Sequence, residues 1–142
     1  MLDEEVLSRN KNLNRSYRKL EIWKLAIELF RIEYDLLSNL KIDLKLKSQI
    51  LDSSFSVHSN ITEGHSRRSK KELIRFIDIA LSSLAENYSQ MFALFNTGII
   101  SNNLFDLFDG KCFELENKLL KFIKSLIDKS VPDDDWRVDY SK

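Results

Sequence analysis

The sequence predicts an all-α protein, an antiparallel up-down-up-down four-helix bundle over residues 18–130. Three observations carry this expectation. Apolar residues recur at three- and four-residue spacing over four long stretches, the period of a helix with one buried face. Only three Gly and one Pro occur in 142 residues, too few turn-formers for a sheet built from hairpins. The breaks between stretches, at 40–43, 64–68 and 98–102, are short, which makes consecutive helices antiparallel neighbours.

An arm of residues 1–17 precedes the first stretch, which runs from about Arg18 to Asn39. At about 100° per residue, Leu20, Trp23, Ile27, Phe30, Tyr34 and Leu37 form one stripe, expected in the core. Ile22, Leu25, Leu29, Ile32 and Leu36 form a second. The combined apolar arc of about 200° exceeds the ~100° stripe of an ordinary surface helix. The second stripe is therefore expected to be an interface between copies of the chain, the alternative being cover by the N-terminal arm.

The second stretch, about 44–62, interleaves Leu46, Ile50, Phe55, Val57 and Ile61 with Ser48, Ser53, Ser54, Ser56 and Ser59. Small side chains let a neighbouring backbone come close, and serine weakens intrinsic helicity, so packing must hold this helix. Gly64 is placed as its stop. The third stretch opens with a capping box, Ser69 to Glu72. Its core face is read as Leu73, Ile77, Leu81, Leu84, Tyr88, Met91, Phe92 and Phe95, with Ala80, Ser82, Ser83 and Ala85 as a close-contact surface. Gly98 ends it. Asn102 or Asn103 caps the fourth stretch, which runs to about Lys129 with Leu104, Phe108, Cys112, Leu115, Leu119, Phe122 and Leu126 inward. Pro132 stops the helix, and residues 131–142 form an acidic tail, loose or docked through Trp136.

Composition narrows the function classes. Hydrophobic residues make up 43% and charged residues 31%, outside the range of disordered chains. One cysteine excludes an internal disulfide framework and a cysteine-only zinc cage. No apolar run reaches the ~18 residues of a membrane span, and the charged start MLDEEVLSRNKN is unlike a signal peptide. The expected compartment is the cytoplasm, with no membrane partner.

No catalytic, metal or cofactor site is expected. A di-iron bundle needs paired Glu-x-x-His motifs, and neither His58 nor His65 has a Glu three residues earlier. His58 is read as a packed helical histidine and His65 as a surface loop residue. Cys112 falls on an apolar stripe, as a buried small hydrophobe. There is no Gly-rich phosphate loop, and no Arg is followed four to six residues later by His, as in a known class of helical nuclease.

Charge is balanced overall, 22 basic against 22 acidic, but unevenly spread. Residues 44–75 hold seven basic and three acidic side chains. In HSRRSKKELIR, Arg67, Arg68, Lys70, Lys71 and Arg75 face only Glu72. Two readings stay open. Arg67 and Arg68 pair with Glu63, Glu72 or a carboxylate of another subunit, or the cluster receives phosphate, which favours cations locally. Asn60, Glu63, Gly64 and Glu86 are read as structural, with Glu63 and Glu86 in inter-helix hydrogen bonds or ion pairs. Trp23, Phe30, Tyr34, Ile77, Leu84 and Leu119 are assigned to the core.

These segments resemble the four-helix bundle proteins encoded in intervening sequences of bacterial 23S ribosomal RNA genes. The matching elements are LEIWKLAIEL (20–29) with Tyr34, SQI (48–50), NITEG (60–64), RRSKKE (67–72) and RFIDIALSSLAE (75–86). The resemblance covers roughly residues 18–95, while the fourth helix matches only in pattern. A small-residue pair that is often Gly-Ser in the family reads Ser82-Ser83 here. A proline common before the Asn of the NIxEG block is replaced by His58 or Ser59.

The resemblance implies a left-handed bundle assembled as a homopentameric ring, without established enzymatic activity. It also implies a nucleic-acid role, since distant relatives with this fold assist reverse transcriptases of diversity-generating retroelements. Those relatives are strongly basic, whereas this chain is neutral. The expected function is a non-catalytic oligomeric module binding RNA or single-stranded nucleic acid through Arg67, Arg68, Lys70, Lys71 and Arg75. The alternative is a protein-interaction scaffold or an accessory subunit of a nucleic-acid enzyme, which the neutral charge, the acidic tail, Trp136 and Tyr140 favour.

Overall fold

The computed structural model describes residues 2–128. The expected tail at 131–142, with Trp136 and Tyr140, lies outside the described residues. Six helical segments and no strand occur among them: α1 (Glu4–Ser8), a 3-10 helix (Leu13–Lys19), α2 (Glu21–Ser38), α3 (Leu44–Ser66), α4 (Lys70–Asn96) and α5 (Asn102–Asp128). The two short segments divide residues that the sequence suggested only as an arm.

Each start has a local cause. Asp3, Asn12, Asp43 and Ser69 accept hydrogen bonds from backbone N–H groups of the first turn, satisfying donors that a helix leaves orphaned. Ser101, rather than Asn102 or Asn103, does this for α5, its Oγ 3.3 Å from Leu104 N. Helix α2 has no side-chain cap; the 3-10 helix runs into it through Leu20. Gly98 adopts φ +85° just beyond α4, the left-handed geometry of a helix terminator.

Contacts between helices fix the directions. Glu33 and Phe30 of α2 meet Ser54 and Phe55 of α3. Ser53 and Ser56 of α3 meet Gln90 and Ser83 of α4, while Gly64 meets Phe76. Tyr88 stacks on Phe108 and Phe95 on Phe105 across α4 and α5. Glu21 and Glu28 of α2 pair with Lys118 and Lys111 of α5, at 3.1 and 3.8 Å. In every case a later residue on one helix meets an earlier one on the next. All four neighbouring pairs are therefore antiparallel, and α5 closes the bundle against α2.

The core lies along heptad-spaced faces: Leu73, Ile77, Ala80, Leu84 and Met91 on α4, and Phe105, Phe108, Cys112, Leu115 and Leu119 on α5. Each large apolar side chain removed from water contributes roughly 1.5–3 kcal/mol. Phe105 replaces the expected Leu104, which is exposed, and Phe92 is exposed as well.

On α2 the two expected stripes are exchanged except at Leu37, which is buried as expected. Ile22, Leu29 and Leu36, assigned to an interface between copies, are buried in the chain's own core with Ala26 and Leu37. Leu25 and Ile32 are half-buried beside them. Trp23, Ile27 and Phe30, assigned to the core, are only half-buried, and Tyr34 is 55% exposed. The inward face has strict four-three spacing, 22-26-29-33-36, but its fourth member is Glu33. The arm covers one end of the outward stripe, where Tyr17 of the 3-10 helix packs edge-on against Trp23 at 5.4 Å. The other end, Phe30 and Tyr34, joins Phe55 and His58 of α3 in an aromatic patch, with Phe55 52% exposed.

Gly64 has a different role from the expected helix stop, since α3 continues to Ser66. A Cβ at Gly64 would lie 2.7 Å from Phe76 Cβ, closer than two carbons can approach, whereas one at Gly110 meets open space. Gly64→Ala is expected to destabilise the chain by about 1–3 kcal/mol through forced separation of α3 and α4. Gly110→Ala, at an open position inside α5, should stabilise it by roughly 0.5–1 kcal/mol. Urea unfolding midpoints of the two variants check this pair, and equal shifts would refute it.

Candidate nucleic-acid interface

The basic cluster surrounds the tight turn between α3 and α4. The close approach at Gly64 brings Phe76 of α4 beside the last turn of α3. Arg67 sits there with its guanidinium carbon 5.2 Å from the centre of the Phe76 ring, and that of Arg75 lies 6.0 Å from the same ring. Arg67 also donates to Glu63 Oε1 at 2.5 Å, an i,i+4 pair on one helix. Glu63 therefore serves within α3 rather than between helices. Arg68, Lys71 and Arg75 are exposed, with no carboxylate partner among the described residues. Lys70 is half-buried and engaged. The structure thus brings the five predicted cations to one end of the bundle. It neutralises Arg67 in part and leaves three open.

The other polar assignments resolve individually. Asn60 Nδ2 donates to the carbonyl of Ser56 at 2.8 Å and to its Oγ at 2.9 Å, within its own helix. Glu86 is exposed and makes no inter-helix ion pair among the described residues. His65, read from sequence as a surface loop residue, is buried in the last turn of α3, its Nε2 2.8 Å from the Oγ of buried Ser16. That contact pins the 3-10 helix to the end of α3 carrying the cations. His58 is half-buried against Phe55, and burial lowers its pKa.

Sequence reasoning missed one polar centre, deep between α2, α3 and α4. Glu33 is fully buried; its Oε1 accepts from Asn87 Nδ2 at 2.6 Å and its Oε2 from Ser54 Oγ at 2.8 Å. Asn87 Nδ2 also faces the carbonyl of Ile50 at 3.1 Å and Ser53 Oγ at 3.2 Å. Ser53 Oγ in turn donates to Gln90 Oε1 at 2.6 Å. Asn87 Oδ1 is buried without a hydrogen-bond partner, so the amide orientation is set by the three acceptors around its nitrogen. The signal was present in the spacing, because Glu33 and Asn87 both occupy core heptad positions. Desolvation pushes the Glu33 pKa up to about 7 from an ordinary 4.5, against the hydrogen bonds from Asn87 and Ser54, which lower it. Burial and nearby carboxylates push the Cys112 thiol up to about 12, which suppresses its thiolate. No group of three His, Cys, Asp or Glu among the described residues is placed to hold a metal. No described helix is long and apolar enough to cross a membrane.

The family model for the 23S rRNA-intervening sequence protein matches residues 18–121. The chain belongs to this family. A crystal structure of a protein of unknown function, from the S23 ribosomal protein family of Bacteroides thetaiotaomicron, superposes with a TM-score of 0.62 at 21% identity. The match covers 80% of this chain and 99% of that one, and it speaks for the fold. No curated protein matches the sequence. The basic turn and the Glu33 centre both lie inside the segment that the 23S rRNA-intervening sequence model covers.

The Glu33 centre makes stability depend on pH. Between pH 4.5 and 7 the folded chain holds the Glu33 proton more tightly than the unfolded chain, so stability falls as pH rises. The loss is on the order of 3 kcal/mol once pH exceeds the folded-state value. Glu33→Gln keeps the shape, and the Ser54 hydroxyl can turn to accept. This variant should lose that slope and be the more stable protein at pH 8, as measured by urea unfolding at pH 5, 6.5 and 8. A wild-type slope in the Gln variant would refute the assignment.

Proposed function

We propose that the chain is a non-catalytic module that self-associates and contacts RNA or single-stranded nucleic acid through the α3–α4 corner. The observation that carries this reading is the gathering of Arg68, Lys71 and Arg75, exposed and without carboxylate partners among the described residues, beside Arg67 and the Phe76 ring. Exposed cations of this kind bind phosphate by releasing counterions, without needing a net positive chain. Membership of the 23S rRNA-intervening sequence family supports a nucleic-acid context. One corner is a weak site. Several copies, a ring of five on this reading, would combine weak corners into useful avidity.

Self-association draws its support from the aromatic patch on α2 and α3. Tyr34 and Phe55 are each more than half exposed, with Phe30 and His58 behind them. A second reading, a scaffold for a partner protein or a subunit of a nucleic-acid enzyme, is favoured by α5. There Phe113, Leu120 and Ile127, spaced by seven, stand 63%, 55% and 62% exposed on one line.

Two measurements test the proposal. Affinity for a labelled single-stranded RNA should fall steeply between 50 and 200 mM salt. Replacing Arg68, Lys71 and Arg75 together by Ala should weaken it about tenfold or more and flatten the salt slope by up to about three ions. A flat wild-type slope would sink the nucleic-acid reading. Light scattering should show a multiple of the monomer mass for the wild type and a smaller mass for Tyr34→Lys/Phe55→Lys with unchanged helix content. A monomeric wild type at micromolar concentration would remove self-association.

A further inference from the structure

The corner has a candidate occupant within the chain itself. The antiparallel register of α4 and α5 is fixed by Tyr88 stacking on Phe108 with ring centres 6.0 Å apart. Each step forward along α5 is matched by a step back along α4, which sets Leu126 level with Lys70 at the start of α4 and Asp128 just beyond it. Antiparallel neighbours lie about 8–10 Å apart. The ion pair of Lys118 with Glu21 and the Ser16–His65 contact bring the start of α2 and the end of α3 to the same end of the bundle. Asp128, the last described residue, therefore lies at the end of the bundle that carries the exposed cations.

The sequence that follows complements them. Residues 133–140 read DDDWRVDY, four Asp and one Arg with Trp136, Val138 and Tyr140 between. Asp133 is five residues beyond Asp128 and can lie up to about 17 Å away along an extended chain, enough to cross one interhelical spacing. On the other side stand Arg68, Lys71 and Arg75 without carboxylate partners among the described residues. The Phe76 ring between Arg67 and Arg75 adds apolar surface for aromatic residues to cover.

We propose that residues 133–140 dock on the α3–α4 corner of their own chain and compete with nucleic acid for it. The aspartates meet the same cations that phosphates would meet. The competition rests on the nucleic-acid reading of this corner; the docking does not. Such a contact fits a neutral protein. The corner is open only for the fraction of time the tail is away, and apparent affinity falls by that fraction.

The test uses the full chain and a variant with Asp133, Asp134, Asp135 and Asp139 changed to Asn. In the free protein, amide resonances of Arg68, Lys71 and Arg75 should differ between the two, and raising the salt should bring the wild type toward the variant. Binding of a fluorescein-labelled 20-nucleotide oligo(U) should tighten about tenfold in the variant if the tail occupies the corner nine-tenths of the time. Corner resonances that do not move overturn the docking, whatever the oligonucleotide does. Moved resonances with no oligonucleotide binding by either protein support docking and remove the nucleic-acid reading, so the two failures are distinct. Equal oligonucleotide affinities with moved resonances overturn the competition. Adding unlabelled wild type to the isotope-labelled variant checks for a tail supplied by another copy; corner shifts appearing then would overturn the same-chain form.

Discussion

The close approach of α3 and α4 sets most of the architecture. Two backbones can draw this near only where side chains are small. The contact line is built for that: Gly64 under Phe76, Ser56 against Ser83 with oxygens 2.8 Å apart, and Ser53 against Gln90. Serine is a poor residue inside a helix taken alone, because its hydroxyl competes for backbone groups. Here the hydroxyls spend that capacity on their own helix or across the interface, with Ser53 Oγ also 2.9 Å from the carbonyl of Ile50. The tight pair also shapes the basic end of the bundle. A wider separation would take Phe76 away from Arg67 and lengthen the turn that crowds the cations together.

The same contact creates the buried polar centre. Glu33 could have been leucine on packing grounds, and removing a carboxylate from water costs free energy even when two donors meet it. What the centre supplies is alignment. Glu33 reaches Asn87 on α4 and Ser54 on α3 together, and Asn87 reaches the carbonyl of Ile50. A slip of one heptad along any of the three helices would leave apolar contacts plausible but strand a buried carboxyl. Heptad-patterned helices are prone to such slips, and one polar core position is a known way of fixing register.

The all-helical class and the antiparallel order of the long segments could be read from apolar spacing and short connectors, because those signals are local. The basic cluster was equally legible, being contiguous in sequence. The close serine contact of α3 with α4 was legible as well, Ser56 meeting Ser83, whereas several judgements that needed a particular partner side chain failed. Whether Ile22 or Trp23 faces inward depends on the partner surface, and the wider aromatic stripe drew the core to the wrong side of α2. Gly64 looked like a stop because its absence of side chain has two uses, and only Phe76 decides between them. His65 looked exposed among arginines, yet Ser16, far off in sequence, covers it. Glu63 pairs with Arg67, one of the partners the sequence had offered for that cation, and not across helices as it was also assigned.

The layout keeps two kinds of contact apart. The aromatic patch around Phe55 lies near the middle of α3, while the cations begin just past its end at Arg67, twelve residues later and about 18 Å along the axis at 1.5 Å per residue. Copies meeting through Tyr34 and Phe55 would leave the corner unobstructed, and charge repulsion between corners would be screened over that distance at physiological salt. Conversely, an anionic ligand at the corner would touch little of the apolar surface used for association. A neutral chain can therefore concentrate modest positive charge at repeated points on an assembly. Separation of the greasy patch from the charged one, rather than the total number of cations, would let the proposed binding and association coexist.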